Sequence, residues 1–202
     1  YFGYVAVVGL ALPGLPGRQR RLAAAAAGVG LALTAGAYAA EGFWLRSLWL
    51  PLLLLLVGYW ASGTLWIGPD PRVERLLAAF DRALDVPRLA ARLPRAACEL
   101  LELSYVGIYG LIPIALLLHV GYAPGADPER FWTVVLLTDY ICFAMLPWIQ
   151  SRPPRALETA APCLSSVRRL NLGLLERTSI GVNTVPSGHA AEAMAIALLL
   201  MN

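Results

Sequence analysis

The chain has no lysine, and all 16 of its basic residues are arginine. Any cation it offers a ligand is therefore a planar, forked guanidinium rather than a mobile ammonium point charge. Cysteine is almost as scarce. Cys98, Cys142 and Cys163 are far apart, odd in number and without CxxC spacing, so neither a disulfide framework nor a metal site follows from them. No cofactor is implied. Charged residues make up only 14% of the 202 positions, where an ordinary soluble domain carries about a quarter. That deficit excludes a soluble globular domain. The net charge of +3 is scattered over short segments without a continuous basic face, which argues against a nucleic-acid partner. Tyr1 opens inside an apolar run with neither Met nor a signal-peptide pattern, and both ends are expected to be cut.

What is present is apolar sequence in blocks. Hydrophobic residues reach 58% and mean hydropathy is +0.63. The expected fold is all-α, a polytopic transmembrane helical bundle forming one membrane domain over 1–202. Complete spans are expected at about 22–40, 48–67, 103–122 and 131–149, with partial ones at 1–12 and 188–202, since roughly 20 residues are needed to cross a bilayer. Trp60 and Trp66 are expected to anchor the third block at the interface, and Pro113 is a candidate kink. The basic turn Arg18–Arg21 follows a Pro-Gly break at 13–17.

Residues 70–100 differ. Val73, Leu76, Leu77, Phe80 and Leu84 recur at helical spacing with arginines and acids between them, the pattern of an amphipathic helix lying on the membrane surface. A second piece, 88–102, is expected to be interrupted at Pro94.

Two stretches carry chemistry. Pro186-Ser187-Gly188-His189 stands at the mouth of an apolar run. Ser187 is a natural N-cap, Gly188 lets an anion approach the free N–H groups of the first turn, and His189 can give or take a proton there. The bland alternative is a capped helix with an interfacial histidine. Upstream, Ser151-Arg152-Pro153-Pro154-Arg155 follows a hydrophobic segment. Two arginines pinned by two prolines suit phosphate oxygens, although arginines also mark membrane boundaries.

Together these stretches resemble the signature of the type 2 phosphatidic acid phosphatase superfamily, whose motifs are K-x6-RP, PSGH and SR-x5-H-x3-D. The second is complete at Pro186–His189. The first is partial, with Arg152-Pro153 matched and Met145 at the lysine position. The third is not contained in the 202 residues. The double proline and the early spans look more like the branch containing inositol phosphorylceramide synthases. The resemblance implies a metal-independent phosphatase or phosphotransferase working on a lipid phosphate or diphosphate through a phosphohistidine, with the attacking histidine in the missing third motif. It implies His189 as general acid and Ser187, Gly188 and Arg152 as phosphate ligands. Arg155 is a second ligand or a headgroup contact, and Arg155, Arg168 or Arg169 are candidates to replace the lysine. It also implies that the surface segment helps admit lipid.

Asp139 lies inside a span, where a carboxyl is costly and usually paired. It is expected to bond a neighbouring helix or to orient an arginine or histidine of the pocket. His119 is expected to pack, and Glu192 to complement the last helix's N-terminus. Apart from Arg46 and Arg130, all the arginines fall on one side of the four expected spans, which would make that side cytoplasmic. The resemblance implies the opposite, an extracytoplasmic site. Two alternatives stay open: transfer of a phosphoryl-alcohol group to another alcohol, and a non-enzymatic transporter or scaffold with a degenerate motif set.

Overall fold

The computed structural model describes residues 1–43, 45–122, 127–153, 166–182 and 185–201. All regular elements among the described residues are helical: α1 (Phe2–Ala11), α2 (Gly17–Ala39), a π-helical turn (Leu45–Trp49) running into α3 (Leu50–Gly63), α4 (Pro71–Ala83), α5 (Val86–Arg92), α6 (Arg95–Tyr122), α7 (Pro128–Met145), α8 (Ser166–Thr178) and α9 (Gly188–Leu200).

Three segments are long and apolar enough to cross a membrane: Gly17–Ala39, Leu45–Gly63 and Arg95–Tyr122. Their most apolar windows are only 17%, 28% and 22% buried by the rest of the protein. Apolar surface left that open would be costly in water and is at home in lipid. The protein is thus a multi-pass membrane protein by composition and helix length. The fourth expected span, 131–149, departs from expectation. Its helix stops at Met145, and its 18 residues include Glu129, Arg130 and Asp139, so it lacks the apolar composition of the other three. α1 and α9 are shorter apolar helices of 10 and 13 residues.

α1 and α2 form a hairpin whose turn uses Gly14 at φ +78°, a conformation glycine adopts without Cβ strain. Arg20 closes the end of α1. Its Nε donates to the Leu15 carbonyl at 3.1 Å, Nη2 to Leu12 at 2.9 Å, and Nη1 to Leu10. A guanidinium at a helix C-terminus satisfies orphan carbonyls and complements the dipole. Part of the basic turn therefore has a local structural use. Gly30 of α2 lets the Phe2 ring in so closely that a Cβ there would lie 2.2 Å from a ring carbon.

α7 is fastened by aromatic donors to main-chain carbonyls. Tyr140 Oη donates to Leu54 at 2.9 Å, Trp132 Nε1 to Ser47 at 2.5 Å, and Tyr4 Oη to Ala144 at 2.6 Å. Tyr1 stacks on Tyr140 with ring centres 4.3 Å apart and donates to Gly58 at 3.0 Å. Such interhelical bonds stabilise membrane bundles by about 0.6 kcal/mol on average. One apolar core lies among α3, α6, α7 and α9, with Phe131 and Val135 fully buried. A second joins α1 and α2 to the end of α3 around Val5, Ala23 and Leu65.

The surface segment begins as expected and then diverges. Asp70 caps α4 by accepting from Arg72 N at 2.7 Å, and Pro71 occupies the first turn, where no N–H is needed. Leu76 and Phe80 are exposed, leaving the apolar stripe uncovered. The second piece is interrupted at Pro94 as expected, and its second half is the start of α6 instead of a separate interfacial helix. α5 ends at Arg92, and Pro94 stands just before α6, which runs unbroken through Glu102 to Tyr122. Proline is tolerated at a helix start because its missing N–H would be unpaired there anyway, so the break falls before Pro94 and α6 begins directly after it.

Candidate active site

The organising feature is the N-terminus of α9. Ser187 is extended and its Oγ accepts from Ala190 N at 3.4 Å, the N-cap geometry its residue type favours. Gly188 is buried against α7. A Cβ there would meet Asp139 Oδ1 at 3.4 Å and Phe143 Cε1 at 3.6 Å, so its backbone packs in van der Waals contact with α7. His189 follows, with its ring against the edges of Tyr105 and Tyr109 of α6, at centroid distances of 5.1 and 5.9 Å.

Gly188 and His189 open into a cavity of about 360 Å³ between α3, α6, α7 and α9. Leu52, Leu55, Leu56, Ile108 and Ile112 give it aliphatic walls, while Asp139 and Glu192 bring carboxyls into it. Asp139 is only 2% exposed and Glu192 6%. Asp139 Oδ2 and Glu192 Oε1 are buried without a hydrogen-bond partner among the described residues. Glu192 was expected to serve the helix N-terminus; instead it lines the cavity, because α9 packs that face against α7 and α6.

Arg152 is elsewhere. It does not line the cavity. Its Nε and Nη2 grip Glu74 of α4 at 2.9 and 2.8 Å, and its backbone N donates to the same carboxylate at 3.1 Å. These bonds hold the Glu74 carboxyl down to about 2 and raise the Arg152 guanidinium above its ordinary value. The adjoining Gln150 is a second tie. Its side-chain oxygen accepts from Ile67 N and Gly68 N at 2.9 and 3.1 Å, its amide donates to Leu65 at 3.1 Å, and its carbonyl accepts from Asp70 N at 2.8 Å. The chain leaving α7 is thereby sewn to the α3–α4 connection.

Of the other expected residues, Arg155 lies outside the described residues. Arg168 donates to Glu102 of α6 at 2.7 Å, and Asn171 reaches the same carboxylate at 2.7 Å. Arg169 donates to Ser166 Oγ at 3.3 Å. Met145 ends α7. His119 is buried beside Phe131, 5.8 Å between ring centres. Gly188, His189 and Asp139 thus share one cavity, whereas Arg152 and Ser187 do not line it. Sequence reasoning missed Glu192, Tyr105 and Tyr109 as neighbours of His189 and Glu74 as the partner of Arg152. Helical spacing holds the only available signal: Glu192 is one turn below His189, and Tyr105 and Tyr109 are one turn apart on one helix face.

Among the described residues, no group of three or more His, Cys, Asp or Glu side chains is placed to hold a metal ion. No protein-family model, curated protein or solved structure matches the chain.

Proposed function

We propose that this protein is an integral-membrane, metal-independent phosphatase or phosphotransferase of the type 2 phosphatidic acid phosphatase kind, acting on a lipid phosphate or diphosphate. The observation that carries the reading is the location of Gly188 and His189. The N-terminus of α9 and the His189 imidazole line an apolar-walled cavity within a membrane bundle. A lipid phosphate needs both features, an apolar channel for its chain and a hydrogen-bonding, proton-donating end for its headgroup.

In the proposed reaction, a histidine of the third motif attacks phosphorus while the phosphorus–oxygen bond to the alcohol breaks. His189 protonates the departing alcohol oxygen, so that no alkoxide has to leave. Water then attacks the phosphohistidine, giving up a proton to His189 and restoring both histidines. N–H groups of the α9 first turn stabilise charge on the phosphoryl oxygens. Arg152 would join them only by exchanging its carboxylate partner, Glu74, for phosphate. We further propose that α7 supplies a fourth crossing and that the site faces the extracytoplasmic side, Arg20 being engaged on α1 carbonyls and discounted from the orientation signal.

The test is turnover of phosphatidic acid, lysophosphatidic acid and a prenyl diphosphate by the full-length protein in detergent with EDTA. Phosphate release that survives EDTA and collapses in His189→Ala supports the reading. Turnover indifferent to that change sinks it.

A further inference from the structure

Burial differs among the residues at this end of α9: Ser187 is exposed, His189 half-buried, and Gly188, Asp139 and Glu192, which line the cavity with His189, are buried. Glu192 is three residues beyond His189 on α9, and helical side chains lean back toward the preceding turn, so its carboxyl belongs with the histidine. Each carboxyl is more than nine-tenths buried and has an oxygen with no donor among the described residues. The rest of the lining is chiefly Leu, Ile, Phe and aromatic surface.

Buried acceptor oxygens in an apolar-walled cavity call for a donor, and none of the described residues supplies one to these two. A phosphate group is the wrong partner, because it brings further acceptor oxygens and like charge. The right partner is a donor, which the alcohol half of a phosphoester can carry. Diacylglycerol esters offer only acceptors there; a free hydroxyl beside the phosphoester offers the donor.

We propose that Asp139 and Glu192 form a hydroxyl-binding subsite in the cavity, selecting a lipid alcohol that carries a free hydroxyl next to the position of phosphoryl transfer. This rests on the reaction proposed above for the orientation of the ester, but the subsite binds the alcohol whether or not phosphorus is present. Charged or neutral, each carboxyl presents at least one acceptor oxygen. An ammonium group would also satisfy two carboxylates, and it is distinguished by its need for charge.

The test is direct binding to the full-length protein in phosphatidylcholine nanodiscs. The readout is the fluorescence of Trp60, which lines the cavity, taken as the difference from Trp60→Phe. Three amphiphiles of equal chain length serve as probes: 1-monodecanoylglycerol, methyl decanoate and decylamine. Monodecanoylglycerol is expected to bind at least about tenfold more tightly than methyl decanoate, the scale of a buried hydrogen bond to a charged group. Asp139→Leu and Glu192→Met are each expected to erase that preference while still binding methyl decanoate. Asp139→Asn and Glu192→Gln, which keep an acceptor oxygen, are expected to retain most of it. Should the apolar variants fail to fold, the wild-type preference itself decides. Equal binding of the ester and the glyceride overturns the proposal. Preferential binding of decylamine that is lost in the Asn and Gln variants also overturns it, in favour of a cation site. These outcomes are independent of turnover, so a failure here with His189-dependent phosphate release intact leaves the reaction standing, and the reverse result leaves the subsite standing.

Discussion

The two motif-bearing regions lie in opposite environments. The start of α9 is packed into the bundle, with Gly188 buried against α7, His189 between tyrosine edges and two buried carboxyls that each hold one oxygen without a donor among the described residues. The Arg152 region is peripheral, and its guanidinium is spent on Glu74 in a three-bond clasp that ties the surface helix α4 to the exit of α7. The first is short of partners and the second fully supplied with them. A site poised for a ligand leaves polar groups unsatisfied inside an apolar wall. A structural tie satisfies itself. On that criterion the proposed chemistry falls to α9, and Arg152 anchors α4 to the exit of α7.

The largest effect that separates the two regions is on rate. His189→Ala is expected to lower lipid-phosphate turnover by about 10²–10⁴-fold, the usual contribution of a positioned general acid, with the fold intact by thermal unfolding in detergent. Phosphate release against time checks it.

The next effect is on stability. A Cβ on Gly58 would lie 2.4 Å from the Tyr140 ring, which holds α7 to α3 through Leu54. Gly58→Val is expected to destabilise the bundle by about 1–3 kcal/mol through overpacking, lowering the melting temperature. Tyr140→Phe, which loses one interhelical hydrogen bond, is expected to cost about 0.6 kcal/mol. A Gly58→Val protein as stable as wild type would mean that α3 and α7 are not in this contact.

The smallest effect concerns the clasp. The pair is solvent-accessible and its contribution to global stability is small, so the readout is local: hydrogen exchange in α4 is expected to speed up in Glu74→Gln without a shift in melting temperature. Because the Glu74 carboxyl is held at about 2, below its ordinary 4.5, its contribution is complete above 4.5 and fades as pH falls through 2. Protection of α4 is therefore expected to persist at pH 4 and to disappear only near pH 2. Loss of protection between pH 6 and pH 4 would contradict the clasp. If Arg152 also visits phosphate, Glu74→Gln lowers the KM for lipid phosphate whereas Arg152→Ala raises it.

Much of the architecture was legible because apolar blocks and their breakers are local signals. The hydropathy of 22–40, 48–67 and 103–122 mapped onto the three long apolar helices, and Ser187-Gly188 marked a helix start through capping chemistry. Pro94 marked the break between α5 and α6, whereas the continuity of α6 from Arg95 into the 103–122 block was not legible. α7 was legible as an apolar segment, but Glu129, Arg130 and Asp139 make it more polar than the three long apolar helices and it stops at Met145. The Arg152–Glu74 pair joins residues 78 apart in the chain, and no periodicity reports such a partner. Glu192 was misassigned because its place near a helix N-terminus suggested a dipole role, whereas packing against α7 decided which way its side chain faced.

The most direct measurement of His189's role is the dependence of the His189→Ala defect on the leaving group. An alkyl phosphate releases a poor leaving group that needs a proton, while a nitrophenyl phosphate releases one that does not. Loss of the alkyl substrate by about 10²–10⁴-fold with a much smaller loss for the nitrophenyl substrate is the predicted result. Equal losses for the two, or none for either, would contradict His189 as the general acid of this membrane site.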